Sequence, residues 1–156
     1  MLREVSRPVT NFDQRLWTLL DDMAETMAKA QGVGLAGVQV GILRRVVVID
    51  IGEGRMELIN PEIIRASGSQ VDSEGCLSFP GQYGLVDRPN QVTVRAQDRN
   101  GNWYEATGTG LLARAFCHEI DHLDGIVFKD KVSQMLEPEE PKPRKKLSVR
   151  LKRKGD

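Results

Sequence analysis

The chain is poor in cysteine and histidine, and it has no long hydrophobic run. Two cysteines in 156 residues are too few for a disulfide scaffold and favour a reducing compartment. No apolar stretch reaches the length that crosses a bilayer, and nothing near Met1 resembles a signal peptide. We therefore expect a cytoplasmic protein that does not bind membranes, with one domain large enough to bury its own core.

Neither sign of charge is in excess, because the net charge of the chain is zero. The charged residues are nevertheless distributed unevenly along the chain. Residues 138–156 hold eight Lys or Arg and three Asp or Glu, a net charge of +5, which leaves −5 on residues 1–137. We expect residues 1–137 to form the folded domain and residues 138–156 to form a basic tail. Such a tail is usually solvated, although it can also dock on nucleic acid.

Both histidines of the chain lie in one pentapeptide, His118-Glu119-Ile120-Asp121-His122. Residues four apart share a face of a helix, so both imidazoles can bind one metal ion while Glu119 lies beside its water. The alternative is a solvated helix whose polar residues have no chemical role.

The residues around the pentapeptide favour a metal site. The apolar run 111–117 predicts a helix that begins after an N-cap at Thr107 or Thr109 and ends at Gly125. The helix would be apolar on more than one side, which is typical of a buried helix. Imidazoles and a carboxylate are costly there unless they are paired or bind metal.

Two histidines need a third ligand from another segment. Phe128 stands where a metzincin protease needs a third histidine, and the glutamates of residues 137–140 lie in a charged, proline-rich stretch. Cys76 offers a thiolate in a segment bounded by glycine and proline, and a thiolate with two imidazoles leaves one position open for catalysis. A buried apolar role for Cys76 is the alternative, whereas Cys117 points away from the motif face and is interpreted as core.

Three segments, in their order and spacing, resemble the peptide deformylases. The segments are Gly32-Val33-Gly34-Leu35-Ala36-Gly37-Val38-Gln39-Val40, Glu74-Gly75-Cys76-Leu77-Ser78 and His118-Glu119-Ile120-Asp121-His122-Leu123-Asp124-Gly125. The resemblance extends over about residues 2–132. It implies a metal-dependent hydrolase that removes the formyl group from the N-terminal formylmethionine of newly made polypeptides and releases formate.

The resemblance also implies which residues carry the chemistry. Cys76, His118 and His122 match the family's metal ligands, and Glu119 matches its general acid and base. The metal implied is ferrous iron, with nickel or cobalt also active. Ligand chemistry alone would favour zinc. An open iron–thiolate site predicts sensitivity to oxygen.

Further residues match groups that bind the substrate or its developing negative charge. The side-chain amide of Gln39 and the backbone N–H of Leu77 match the pair that stabilises the oxyanion. Gly34 matches the glycine whose backbone borders the substrate.

The substrate's methionine side chain needs an unbranched apolar slot. Leu111 and Ala115 share the helix face of His118 and are expected to line this slot, with Val33 opposite. Arg114 lies nominally near the same face, and we expect it to extend to the rim.

Outside the motifs, one carboxylate is a candidate for second-layer support of the metal ligands. Glu74, two residues before Cys76, is expected either to accept a hydrogen bond from a ligand histidine or to pair with Arg88. A surface carboxylate is the alternative.

The order of predicted elements favours an α+β fold, with antiparallel sheets packed around the motif helix. Residues 10–13 predict a helix start, followed by an apolar stripe at helical spacing. Residues 46–49 predict a buried strand. Residues 91–98 and 103–107 predict a hairpin that turns at Asn100-Gly101.

The two ends of the chain lead to two further expectations. Deformylases normally carry a further segment, with an early strand, ahead of the stretch that resembles residues 1–9; its absence is expected to expose a sheet edge or part of the pocket wall. At the other end, residues 142–154 are expected to bind ribosomal RNA, not DNA, because deformylases meet nascent chains at the ribosome. The rival interpretations are a zinc metallopeptidase, which would not need Cys76, and a metal-binding module without catalysis.

Overall fold

The computed structural model describes residues 2–135, which form two α-helices and eight β-strands. The predicted tail, residues 138–156, lies outside this range. The elements are α1 (Gln14–Lys29), β1 (Gly34–Ala36), β2 (Val46–Ile49), β3 (Met56–Ser67), β4 (Gln70–Cys76), β5 (Phe79–Arg88), β6 (Gln91–Gln97), β7 (Trp103–Thr109), α2 (Leu111–Leu123) and β8 (Val132–Met135). Short 3₁₀ turns occupy Gly37–Val40 and Phe128–Asp130.

The strands form two antiparallel sheets. The larger sheet has the order β1-β2-β3-β6-β7, and the smaller has the order β4-β5-β8. The predicted strand 46–49 is confirmed as β2, and the predicted hairpin is confirmed as β6 and β7. The α+β class with antiparallel sheets is therefore confirmed.

Strand β2, the second strand of the larger sheet, explains how the two helices are arranged. All four of its residues are buried, because the larger sheet is covered on both faces. Val46 and Val48 pack in the cluster that contains α1, whereas Val47 and Ile49 pack in the cluster that contains α2. The helix α2 also contacts β5 of the smaller sheet, so it lies where the two sheets meet.

The first helix begins as its sequence predicts. Asp13 is the N-cap and accepts a hydrogen bond from the Leu16 backbone N–H. The buried face of α1 consists of Leu16, Leu20, Met23 and Met27. Their spacing is that of one helical face, which is why the pattern was readable from the sequence.

The motif helix α2 exists as predicted, but its predicted N-cap is wrong. Thr107 and Thr109 lie in β7 and pair with β6, and the helix begins only after Gly110. Gly110 has a φ of 57°, a conformation that permits the sharp turn from strand to helix. At the other end the C-cap is Asp124, one residue earlier than the predicted Gly125, and Gly125 follows it in the left-handed conformation.

Within residues 2–135, no helix has both the length and the apolar character needed to cross a bilayer.

Candidate active site

The three predicted metal ligands meet at one point of the fold. Cys76 is the last residue of β4, whereas His118 and His122 lie one turn apart on α2. Their donor atoms all lie within 4.8 Å of one another, and Cys76 Sγ is 3.2 Å from His122 Nε2. A sulfur and two imidazole nitrogens at this separation fit a single divalent transition-metal ion.

The buried carboxylate of Glu74 is engaged on both of its oxygens. Oε1 lies 2.9 Å from His118 Nδ1 and accepts from Arg88 Nη2 at 3.0 Å. Oε2 accepts from Arg88 Nε at 2.9 Å and from Arg114 Nη1 at 2.5 Å. Burial by itself would raise the pKa of Glu74, but the bonds with His118 and Arg88 hold this pKa well below its usual range.

The contacts of Glu74 test the predictions made for Glu74 and for Arg114. Both contacts foreseen for Glu74, with a histidine of the motif and with Arg88, are confirmed, and the alternative of a surface carboxylate is wrong. The prediction that Arg114 extends to the rim is also wrong, because its side chain is buried and binds Glu74. A buried guanidinium needs a paired carboxylate, and the ion pair with Glu74 is what allows the Arg114 side chain to be buried.

The two imidazoles sit in different electrostatic surroundings. Burial and the nearby positive charges of His118 and Arg88 lower the pKa of His122 to about 3, which keeps this ring neutral. Burial also opposes the charge of His118, but the contacts with Cys76 and Glu74 raise its pKa to about 10. A metal ion binds only the neutral ring, so coordination would release the His118 proton.

Glu119 lies beside the ligands and is itself buried. Its Oε1 makes no hydrogen bond to any of residues 2–135. Burial raises the pKa of Glu119 to about 7, which places the carboxyl near the range suited to a general base. A Cβ atom added at Gly34 would lie 2.7 Å from Glu119 Oε2, so only glycine lets β1 approach the carboxylate this closely.

Gln39 reaches the site from the 3₁₀ turn Gly37–Val40. Its Oε1 accepts a hydrogen bond from the Ala36 backbone N–H at 2.8 Å, which fixes the direction of the side chain. Its Nε2 then lies 3.3 Å from both Cys76 Sγ and Ser78 Oγ. The amide donor therefore points at the sulfur end of the site, next to Leu77.

A cavity of about 530 Å³ opens beside the three donors. All four predicted pocket residues, Val33, Gly34, Leu111 and Ala115, line it. Phe79, which no motif identified, also lines it, because β5 brings this ring back beside Cys76. Phe79 lies only three residues after Cys76, directly after the motif Glu74–Ser78, so its position next to the motif was the one signal in the sequence that could have identified it.

Comparison with known proteins identifies the chain. A family model described as "Polypeptide deformylase" matches residues 1–137. The chain belongs to this family.

Curated and solved deformylases match over most of their length. The peptide deformylase of Caldicellulosiruptor bescii is 59% identical over 145 residues, which cover 93% of this chain and 87% of that protein. The crystal structure of the enzyme from Thermotoga maritima has a TM-score of 0.83 at 42% identity and covers 85% of this chain and 90% of its own. A structure from Synechococcus elongatus in complex with actinonin has the same TM-score and identity and covers 85% of this chain and 74% of its own.

Membership decides the broad function. Peptide deformylases are metal-dependent hydrolases that remove the N-formyl group from nascent polypeptides. The predicted family, enzyme class and reaction are therefore confirmed, and the Cys76, His118 and His122 cluster is this deformylase's candidate metal site.

Proposed function

We propose that this deformylase releases formate from N-terminal formylmethionine with one ferrous ion held by Cys76, His118 and His122. The observation that carries this proposal is the convergence of one sulfur and two nitrogen donors within 4.8 Å beside a cavity and a buried carboxylate. The resemblance to iron-dependent deformylases favours Fe²⁺ over Zn²⁺, Ni²⁺ or Co²⁺. When bound, the ion would polarise the formyl group and lower the pKa of the attacking water.

Residues of the chain carry out proton transfer and stabilise the developing negative charge. Glu119 accepts the proton of the attacking water and delivers it to the leaving amine as the C–N bond breaks. The Gln39 amide and the Leu77 backbone N–H donate to the formyl oxygen while negative charge builds there. The products are formate and a free amino terminus.

The cavity supplies selectivity in this proposal. Val33, Leu111 and Ala115 contact the methionine side chain, and the backbone at Gly34 borders the substrate. Because Gly34 already packs against Glu119, little room remains for an acyl group larger than formyl.

The decisive experiment compares three peptides on anaerobically purified, iron-loaded protein. We expect formate from formyl-Met-Ala-Ser, no acetate from the acetylated peptide and no cleavage of the unformylated one. Cleavage within the peptide chain would instead support a metallopeptidase. Reloading with Zn²⁺, Ni²⁺ or Co²⁺, with and without air, tests the choice of metal: the iron proposal fails if the iron enzyme is no more active than the zinc enzyme.

Replacing Gln39 with glutamate should lower kcat far more than it changes KM. The new carboxylate keeps the acceptor for the Ala36 N–H but has no donor for the formyl oxygen. Loss of one oxyanion donor typically costs about 10²- to 10³-fold in kcat. Steady-state kinetics measure the effect, and Ser78→Ala is the control, because it removes a neighbour of the amide and leaves the amide itself. A Gln39→Glu variant with normal kcat would remove Gln39 from the mechanism.

We further propose that residues 142–154, within the basic segment 138–156, bind ribosomal RNA and so bring the enzyme to its substrates in the cytoplasm. The support is the net charge of +5, since the segment lies outside the described residues. A chain that ends at residue 137 should bind ribosomes more weakly and with a smaller dependence on salt, while its activity on short formyl-peptides stays the same. Ribosome affinity that is equal with and without the segment would refute this proposal.

A further inference from the structure

The candidate metal site is divided between two parts of the fold. Cys76 belongs to β4 in the smaller sheet, whereas His118 and His122 belong to α2, which packs on the larger sheet. The three donors can hold one ion only if β4 is kept at the right distance from α2. Side chains that join these two elements therefore bear on the metal site.

The Arg114 guanidinium joins them. Arg114 projects from α2, one turn before His118, and its side chain is 7% exposed. Its Nη1 donates to Glu74 Oε2 at 2.5 Å and to the Val86 carbonyl at 3.1 Å, and its Nη2 donates to the Gln70 carbonyl at 3.3 Å. One side chain of α2 thus holds β4 at two points and β5 at a third.

The partner that Arg114 binds is also the partner of a candidate ligand. Glu74 stands two residues before Cys76 in β4, and its other oxygen lies 2.9 Å from His118 Nδ1. Arg114 and His118 therefore reach the same carboxylate from the same helix. A shift of Glu74 would move both the His118 ring and the strand that ends at Cys76.

We propose that Arg114 is a positioning residue that holds the Cys76 strand against the histidine helix through Glu74 and thereby sets how tightly the metal is retained. This inference rests on the proposed function, because it takes Cys76, His118 and His122 as the ligands.

A second arginine makes the role of Arg114 separable from folding. Arg88 of β5 also binds Glu74, and it bridges to α2 through Asp121 Oδ2 at 2.7 Å. Without Arg114 the Glu74 carboxylate keeps these bonds, so the fold should persist. The contacts of α2 with Gln70 and Val86 would be lost, together with the Arg114 bond to Glu74, which lies two residues before Cys76. Strand β4 would then be held less firmly against α2.

Cobalt binding by the full chain tests the proposal without relying on activity. The variants are Arg114→Met, which removes all three contacts, and Arg114→Lys, which keeps the charge but lacks the planar fork. Arg99→Met is the matched control, because it breaks bonds to Glu57 and Asp21, away from the three donors. The Co²⁺ dissociation constant is measured by chelator competition, and the thiolate absorption band reports coordination by Cys76.

We expect Arg114→Met to weaken Co²⁺ binding by up to roughly 10- to 100-fold, the typical cost of losing an outer partner of a ligand, because it displaces Glu74, the outer partner of His118. The absorption band should shift as well. Arg114→Lys should fall between Arg114→Met and the unmodified chain, and Arg99→Met should bind normally even if its Tm falls. In a Glu74→Gln background, Arg114→Met should weaken binding less than it does in the unmodified chain, because the two changes share the contact between Arg114 and Glu74.

Two kinds of contrary result are distinguishable. Normal Co²⁺ affinity and spectrum in both Arg114 variants, or equal weakening in Arg99→Met, would overturn the role of Arg114 alone. Failure of the unmodified chain to bind Co²⁺, or a thiolate band that survives Cys76→Ser, would overturn the ligand set and this inference with it.

Discussion

Replacing Glu119 with glutamine is expected to lower kcat by about 10²- to 10⁴-fold while the protein keeps its metal. Glutamine has the size of glutamate but cannot accept the proton of the attacking water. Glu119 Oε1 has no hydrogen-bond partner among residues 2–135, so the substitution breaks no bond of that oxygen. The measurements are steady-state release of formate and the metal content of the purified variant.

The control for this prediction is Glu25→Gln on α1. Glu25 forms an exposed ion pair with Lys29, and such pairs contribute little to stability, so this variant should keep full activity. If Glu119→Gln retains normal kcat with full metal content, Glu119 is not the proton carrier. If it loses its metal, Glu119 contributes to binding the ion.

Replacing Cys76 with serine is expected to have the second large effect, through loss of the metal itself. A serine hydroxyl is not ionised at neutral pH and is a much poorer ligand than a thiolate for iron or zinc. The loss of affinity should exceed the roughly 10- to 100-fold that is typical for an outer partner of a ligand. Metal content and chelator competition measure it, and formate release should fall in parallel.

Cys117→Ser is the matched control, because it makes the same chemical change at the other cysteine of the chain. Cys117 is buried in the apolar cluster around α2, so a hydroxyl there should reduce stability by about 1–3 kcal/mol without changing metal content. Retention of metal and activity in Cys76→Ser would point to a metallopeptidase-like ligand set instead. Loss of metal in both variants would mean that the effect comes from general instability.

Much of the site could be recognised in the sequence because its parts are local. Two histidines four residues apart share a helix face wherever the helix packs, so the motif itself predicts that His118 and His122 meet. The apolar stripe of α1 and the cap at Asp13 follow the same helical period and could be located before the fold was known.

The errors arose where distant segments compete for the same residues. Threonine is a common N-cap residue, but Thr107 and Thr109 pair with β6 and therefore belong to β7. A long charged side chain such as Arg114 is usually found at the rim of a pocket, but Arg114 is buried because it pairs with the Glu74 carboxylate, 40 positions earlier in the chain. In each case a tertiary contact outweighs the local preference, and no pattern within a short window of sequence reports that contact.

The amino-acid sequence by itself determined the family, the reaction class and the three segments that carry the candidate site, because residue type and short-range spacing encode them. Only the tertiary structure decided that β4 lies against α2, so that Cys76 meets the two histidines, and that Glu74 lies between His118 and Arg114. The physical reason is that helix periodicity depends on neighbours in the chain. Pairing of strands and burial of charges depend instead on partners that only the complete fold brings together.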